Sequence, residues 1–204
     1  MQRFDGRPVL VTAGRQEAGR GRSGGPWWQA PRAIAASLAF RPGWEEGSLP
    51  VLALVAGLAA RDALDDAVAL AWPNDLVATG GKAGGILLEA SGGVVVAGLG
   101  VNLWWPAPPP ETAAVYPDDP GAGQARALAA SWAESLLRRT EDGPRDWGRD
   151  DYRAACVTLG REITWEPGGR GRADDIAADG ALLVTTPAGP VVLRSGRVHT
   201  VRPT

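Results

Sequence analysis

One proline and two glycine pairs confine residues 68–89 to a narrow choice of local shapes. Residues 68–72 (VALAW) are a short apolar run that reads as a strand. Pro73 ends it, because proline has no N–H to give a sheet ladder. Gly80 and Gly81 permit a tight return, and residues 86–89 (ILLE) read as a second strand. The spacing predicts a hairpin whose turn presents Asn74, Asp75 and Lys82. Gly84 and Gly85 lack side chains, so a ligand can approach their backbone closely. The same punctuation runs along the whole chain: 28 glycines and 17 prolines in 204 residues imply short elements and many turns.

Lys82 is the only lysine; the other 20 of the 21 basic residues are arginine. A guanidinium is a rigid planar fork and an ammonium a compact point charge with three donors, so the two are not interchangeable where one oxygen cluster must be gripped. A lone lysine can be an accident of composition. Its neighbours argue otherwise: an amide, a carboxylate and an ammonium close to two glycines suit a phosphate-bearing substrate and a magnesium ion.

Upstream, residues 8–13 (PVLVTA) read as a buried strand. Residues 14–25 carry five glycines and three arginines and suit neither helix nor packed strand. Such a loop can fold over an anion, with glycine amides and guanidinium forks as donors; a plain basic loop or an RNA-binding one has the same composition. Trp27 and Trp28 follow, placed to pin the loop or stack on a base. Residues 33–40 read as a strand with space beside its small side chains. A helix is expected from Ser48, near the N-cap, to about Leu64, with Pro50 in its first turn. Residues 94–99 form another buried strand, ending in a GxGxN run from Gly98 through Gly100 to Asn102.

Residues 106–123 hold six prolines and read as a surface loop. Residues 124–140 show helical periodicity, with Leu128, Trp132, Leu136 and Leu137 on one face, and residues 146–156 read as a shorter helix. From Val157 the pattern changes to short strands at 162–165, 172–177, 181–186 and 191–195, with Asp179-Gly180 as a hairpin turn. About 45 residues of this kind make a small barrel. His199 lies in its last strand without ligand partners nearby and reads as structural or exposed.

Composition removes several functions. The net charge of −2 carries no general nucleic-acid footprint. A single cysteine, Cys156, cannot form an internal disulfide and suits a reducing compartment as a buried, inert thiol. No apolar run spans a bilayer, and MQRFDGRP has no signal core. These features imply a cytoplasmic protein with no membrane or nucleic-acid partner.

Taken together the motifs resemble the biotin protein ligase family. Gly19-Arg20-Gly21-Arg22 with Trp27 is similar to its GRGRxGRxW loop, Trp72-Pro73-Asn74-Asp75 to KWPND, Lys82 with Gly84-Gly85-Ile86-Leu87 to KxGGIL, and residues 98–102 to GxGxN. They occur in family order. The resemblance implies an α+β fold: a mixed β-sheet flanked by helices, of the class II synthetase-like biotin/lipoate ligase type, over residues 1–156, then a small SH3-like β-barrel over 157–204.

It also implies ATP-dependent formation of biotinyl-AMP and transfer of biotin to a lysine of a biotin carboxyl carrier domain. Lys82 and Arg22 would be catalytic. Gln16, Gly19, Arg20, Gly21, Trp27, Gly84, Gly85, Gly98 and Gly100 would bind the acid. Asn74, Asp75 and Asn102 would serve the nucleotide, and Asn74 and Asp75 a Mg²⁺ ion. A homodimer is one assembly this allows.

Some positions depart from the family pattern. Only MQRFDGR precedes the first strand, so the family's strand and Ser-Thr-Asn helix start are expected to be absent, and no DNA-binding helix-turn-helix is expected. Ala71 stands where the family has lysine. Gly25 and Pro26 replace later basic positions, and Arg22-Ser23-Gly24-Gly25 resembles the RxSGG run of lipoate ligases. A lipoate or octanoate ligase, an inactive ligand-binding paralogue, and a subunit needing a partner chain stay open.

Overall fold

The computed structural model describes residues 5–22 and 27–201. Residues 23–26, the last three of the expected loop over residues 14–25 and the proline that follows it, lie outside them. Among the described residues there are two antiparallel sheets, three α-helices and one 3-10 helix. The first sheet has six strands: β1 (Val9–Thr12), β2 (Arg32–Phe40), β3 (Ala69–Ala71), β4 (Asp75–Ala78), β5 (Gly81–Ser91) and β6 (Val94–Trp104). Their spatial order is β1-β2-β6-β5-β4-β3.

The α+β class stands, but the named strands pair antiparallel throughout. Two isolated bridges, Leu70 with Cys156 and Lys82 with Thr112, are parallel. The connections explain this. β3 to β6 follow one another through short turns, which only antiparallel neighbours allow. The one helical crossover, α1 (Leu52–Ala63), carries the chain from β2 to the far edge strand β3.

The helix start differs from the sequence expectation. A 3-10 turn over Glu46–Val51 precedes α1, and no side chain caps it. Ser48 is therefore inside the turn rather than at an N-cap; its amide donates to the Glu45 carbonyl at 2.9 Å. Pro50 also lies inside that turn. α1 is almost entirely buried, because α2 (Gln124–Glu141) packs along it while both cover the sheet. Asp62 of α1 accepts both arms of Arg139 of α2, at 2.7 and 2.8 Å, and the Ser135 hydroxyl. Burial pushes the Asp62 carboxyl up, but those hydrogen bonds and the Arg139 charge outweigh it and hold it below the ordinary carboxylate range.

The second sheet contains β7 (Glu162–Trp165), β8 (Gly169–Ile176), β9 (Leu182–Thr186), β10 (Gly189–Leu193) and β11 (Val198–Thr200), in the order β10-β9-β8-β7-β11. Among the described residues no pairing joins β10 to β11, so these ladders do not close into the expected barrel. His199 is exposed on β11. The two sheets share one hydrophobic core, which runs from Ile34 and Leu38 through Trp132 to Ile163, Ala173 and Val184. Indole N–H groups fasten the join: Trp72 donates to the Gly180 carbonyl and Trp147 to the Ala178 carbonyl, each at 2.9 Å. A buried tryptophan brings a large apolar body and one donor that must be matched. α3 (Arg149–Ala155) sits at the same join, where Arg149 donates to the Ile176 carbonyl at 2.6 Å. Cys156 is buried, and burial raises its thiol pKa, as expected of an inert thiol.

Candidate functional site

Lys82 does not sit in a turn. β5 begins at Gly81, and Asp75, expected in the turn, opens a separate strand, β4. The β4–β5 register explains how the two side chains meet. Asp75 lies opposite Gly85 and Leu76 opposite Gly84, but Val77 lies opposite Lys82. Ala83 is thus an extra residue, a β-bulge, and it is fully buried. Strict alternation would put residues 82 and 85 on opposite faces. The bulge resets the alternation and brings Lys82 onto the face of Gly85 and Asp75. Its Nζ lies 2.5 Å from Asp75 Oδ1.

The proline-rich segment 106–123 is more than a surface loop. Its middle runs against β5 and β6: the Lys82 amide donates to the Glu111 carbonyl at 3.0 Å, and Ala113 donates back to Lys82 at 2.8 Å. Val115 donates to the Asn102 carbonyl at 3.0 Å. Gly81 permits this approach, because a Cβ there would lie 2.4 Å from the Glu111 oxygen. Both backbone polar groups of the lone lysine are therefore held by this segment.

Asn74 orients rather than coordinates. Its Nδ2 donates to the Ile86 carbonyl at 2.7 Å, and its Oδ1 accepts from Arg22 Nη1 at 2.9 Å. Arg22 also reaches the Gly196 carbonyl of the second sheet at 3.4 Å. Asn102 is buried, and its Oδ1 accepts from the Ala30 amide at 2.9 Å, which fixes the entry to β2.

These partners test the expected Mg²⁺ position. The ion wants a near-octahedral set of oxygens. Asn74 Oδ1 already accepts from a guanidinium and Asp75 Oδ1 from an ammonium, so two cations occupy the coordinating atoms. Among the described residues no cluster of His, Cys, Asp and Glu could hold a metal. In this arrangement Asn74 Oδ1 and Asp75 Oδ1 are turned to Arg22 and Lys82.

The groups line one cavity of about 860 Å³, between the open face of the six-stranded sheet and the loops of the five-stranded one. Gln16, Arg20, Gly21, Arg22 and Trp27 border it, as do Asn74, Asp75, Lys82, Gly85, Gly98, Gly100 and Asn102. Gly19 and Gly84 do not. A Cβ on Gly84 would lie 2.6 Å from the Gly100 carbonyl and 3.1 Å from Leu76, so Gly84 serves packing within the sheet. A Cβ on Gly19 would lie 3.1 Å from Trp27, whose amide donates to the Gly19 carbonyl. Gly19 thus seats Trp27. The Trp27 ring covers Gly100, and its buried Nε1 has no partner among the described residues. Gln29 staples the loop, accepting from the Gln16 amide at 2.7 Å and donating to the Gly14 carbonyl at 3.1 Å.

The far wall was not read from the sequence. Glu166, Pro167, Gly196, Arg197 and Val198 of the second sheet line it, with Arg197 and Glu166 paired at 3.6 Å. Only tertiary packing brings these loops over the first sheet, and no local spacing signals it.

Residues 5–103 match the biotin/lipoate A/B protein ligase family. A biotin–[acetyl-CoA-carboxylase] ligase of Mycobacterium tuberculosis is 33% identical, over 95% of this chain and 79% of its own. One from Paracoccus denitrificans is also 33% identical, over 92% of this chain and 88% of its own. The chain belongs to the biotin/lipoate A/B protein ligase family. The biotin protein ligase from Aquifex aeolicus, solved in complex with biotin and ATP, has the same fold. Its TM-score is 0.80 at 24% identity, covering 95% of this chain and 89% of that one. In this family member the cavity lining brings together a cluster of charged groups, the Lys82–Asp75 pair and Arg22 held by Asn74, with Gly85, Gly98 and Gly100. Such a cluster can draw two anionic groups together and shield their repulsion.

Proposed function

We propose that the chain is an ATP-dependent biotin–protein ligase. The observation that carries the reading is that Lys82, held by Asp75, and Arg22, held by Asn74, both line one cavity together with Gly85, Gly98 and Gly100. Support also comes from the two relatives named as biotin–[acetyl-CoA-carboxylase] ligases. In the first step a biotin carboxylate oxygen attacks the α-phosphorus of ATP. The bond to the β-phosphate oxygen breaks and pyrophosphate leaves. In the second, a carrier lysine amine attacks the acyl carbon of biotinyl-AMP; the acyl–oxygen bond breaks, AMP leaves, and the amine gives up a proton.

Carboxylate and phosphate repel one another until cations lie between them. Lys82 Nζ, aimed by the bulge and by Asp75, is placed for that, and Arg22, aimed by Asn74, adds a second donor set. The glycine loop with Arg20 and Gly21 closes on the phosphate, and Trp27 covers the acid. Asn102 acts through the Ala30 entry to β2. The acceptor is a carboxylase carrier domain. Residues 1–156 form the ligase domain and 157–204 an SH3-like C-terminal domain, each containing one of the two sheets. Among the described residues no helix is long and apolar enough to cross a membrane. With one buried thiol, a cytoplasmic location fits the same reading.

Pyrophosphate–ATP exchange tests it, run separately with biotin, lipoate and octanoate, together with transfer of biotin to a carboxylase carrier domain. Biotin-dependent exchange and labelling of the carrier are expected. Exchange that needs lipoate or octanoate and ignores biotin would move the chain to a different acyl ligase; no exchange with any acid would leave a binding protein.

A further inference from the structure

Resting on the ligase reading, the geometry points to Thr158 as a positioning residue that sets the turn carrying Asn74 and Asp75. Thr158 does not line the cavity. It is buried behind it, between α3 and β7. Its Oγ1 accepts from the Trp72 amide at 3.0 Å.

β3 is an edge strand, so one side of it lacks a neighbouring strand. The segment after α3 takes that side: the Val157 amide donates to the Leu70 carbonyl at 2.8 Å, and Leu70 bridges to Cys156. Trp72 comes next along the same edge. It is buried, so its amide needs a partner, and a side-chain hydroxyl supplies one. Pro73 has no N–H, which makes the Trp72 amide the last main-chain donor before Asn74. Just beyond it, Asn74 holds Arg22 and Asp75 holds Lys82.

The turn is therefore clamped from two directions. β5 ties one side: the Ile86 amide donates to the Asn74 carbonyl at 2.8 Å, and Asn74 Nδ2 donates to the Ile86 carbonyl at 2.7 Å. Thr158 and the Gly180 carbonyl, through the two N–H groups of Trp72, tie the other. Thr158 is itself anchored to the second sheet. The Gly160 amide donates to the Ala173 carbonyl at 2.7 Å, and the Ala173 amide to the Arg161 carbonyl at 2.9 Å. One hydroxyl thus links the second sheet to the two side chains that aim Arg22 and Lys82.

Thr158→Val keeps the shape and removes the acceptor. A buried amide left unmatched should lower the urea midpoint. In pyrophosphate exchange by the full chain the kcat should fall about 10-fold, part of the roughly 10²-fold that a 1 Å misplacement can cost, while the KM for biotin holds. A second readout needs no turnover. Lys82 is the only lysine, so an amine-selective reagent, followed by peptide mass, reports on the Lys82–Asp75 pair. Lys82 should be modified faster in Thr158→Val. Thr158→Ser should restore both the kcat and the slow modification. Ile163→Val, in the same core, should lower the urea midpoint and move neither. Thr158→Ala is read in the same way should Thr158→Val not fold. If only the urea midpoint responds, if Thr158→Ser restores nothing, or if Ile163→Val has the same effects, the positioning role is overturned and the ligase reading survives. A wild-type chain without exchange for any acid removes the ligase reading, and Lys82 modification still decides whether Thr158 sets the turn.

Discussion

In both sheets a tryptophan ring lies on a strand glycine, and the two contacts serve different ends. In the five-stranded sheet Trp165 pairs directly with Gly169, so close that a Cβ there would lie 1.9 Å from the ring. Next along β8, a Cβ on Gly171 would lie 2.4 Å from the Thr185 carbonyl. These glycines are space the protein fills itself. In the six-stranded sheet the covering ring, Trp27, comes from a loop, and its buried N–H has no partner among the described residues. Beside it, a Cβ on Gly98 would meet nothing nearer than the Leu87 carbonyl at 3.4 Å. That glycine leaves space on the cavity side. The residue type is the same; what faces it decides whether it closes a sheet or opens a site.

The largest effect should come from Lys82, at the head of the open space. Lys82→Arg keeps the charge but not its compactness, and Lys82→Ala removes both. Each should cut pyrophosphate exchange by about 10²–10³-fold, the usual loss for a charge-stabilising donor. Circular dichroism and melting should stay close to wild type, because the side chain is exposed and supports no packing. Unimpaired exchange in Lys82→Arg would show that the cation cluster is not where the chemistry happens.

Gly98→Ala and Gly171→Ala then set the two kinds of glycine against each other. At Gly98 the added methyl enters ordinary contact distance with the protein, so stability should hold. It projects into the cavity instead and should weaken the acid by roughly 10- to 200-fold, the range for one methylene in a pocket. At Gly171 the methyl meets backbone, which cannot move aside cheaply. Overpacking of that kind costs about 1–3 kcal/mol, read as a lower urea midpoint with acid affinity retained in the folded fraction. Equal effects of the two substitutions would erase the distinction.

The sequence shows how far such a distinction can be read in advance. Strand positions 162–165 and the helix over 124–140 were legible to within a residue, because period and turn chemistry are local signals. The cation cluster was legible as a set, since Asn74, Asp75 and Lys82 are close in sequence. Its geometry was not. Ala83 gives no sign of being a bulge, yet that extra residue puts Lys82 on the cavity face. Gly84 and Gly85 look alike until alternation assigns one to packing and the other to the site. The wall made by Glu166 and Arg197 depends on how the second sheet docks, through long-range donors such as Trp72 and Trp147.

The smallest effect concerns the strap over the open sheet. Asp119, in the segment 106–123, accepts both arms of Arg32 at the start of β2, at 2.8 and 2.6 Å, and the Gly121 amide at 2.9 Å. The Arg32 hydrogen bonds, followed by that of Gly121, hold the Asp119 carboxyl at about 2, against an ordinary 3.8. A carboxyl whose pKa falls on folding adds stability above its unfolded value and loses it as the pH drops through the folded one. The melting temperature of the wild type should therefore exceed that of Asp119→Asn at neutral pH. The gap should be small, because the pair is exposed and screened by salt, and it should close between about 3.8 and 2. In the Arg32→Ala variant the carboxyl midpoint, followed by NMR, should move back up towards 3.8. If the melting gap persists below pH 2, Asp119 fastens the strap through something other than its charge.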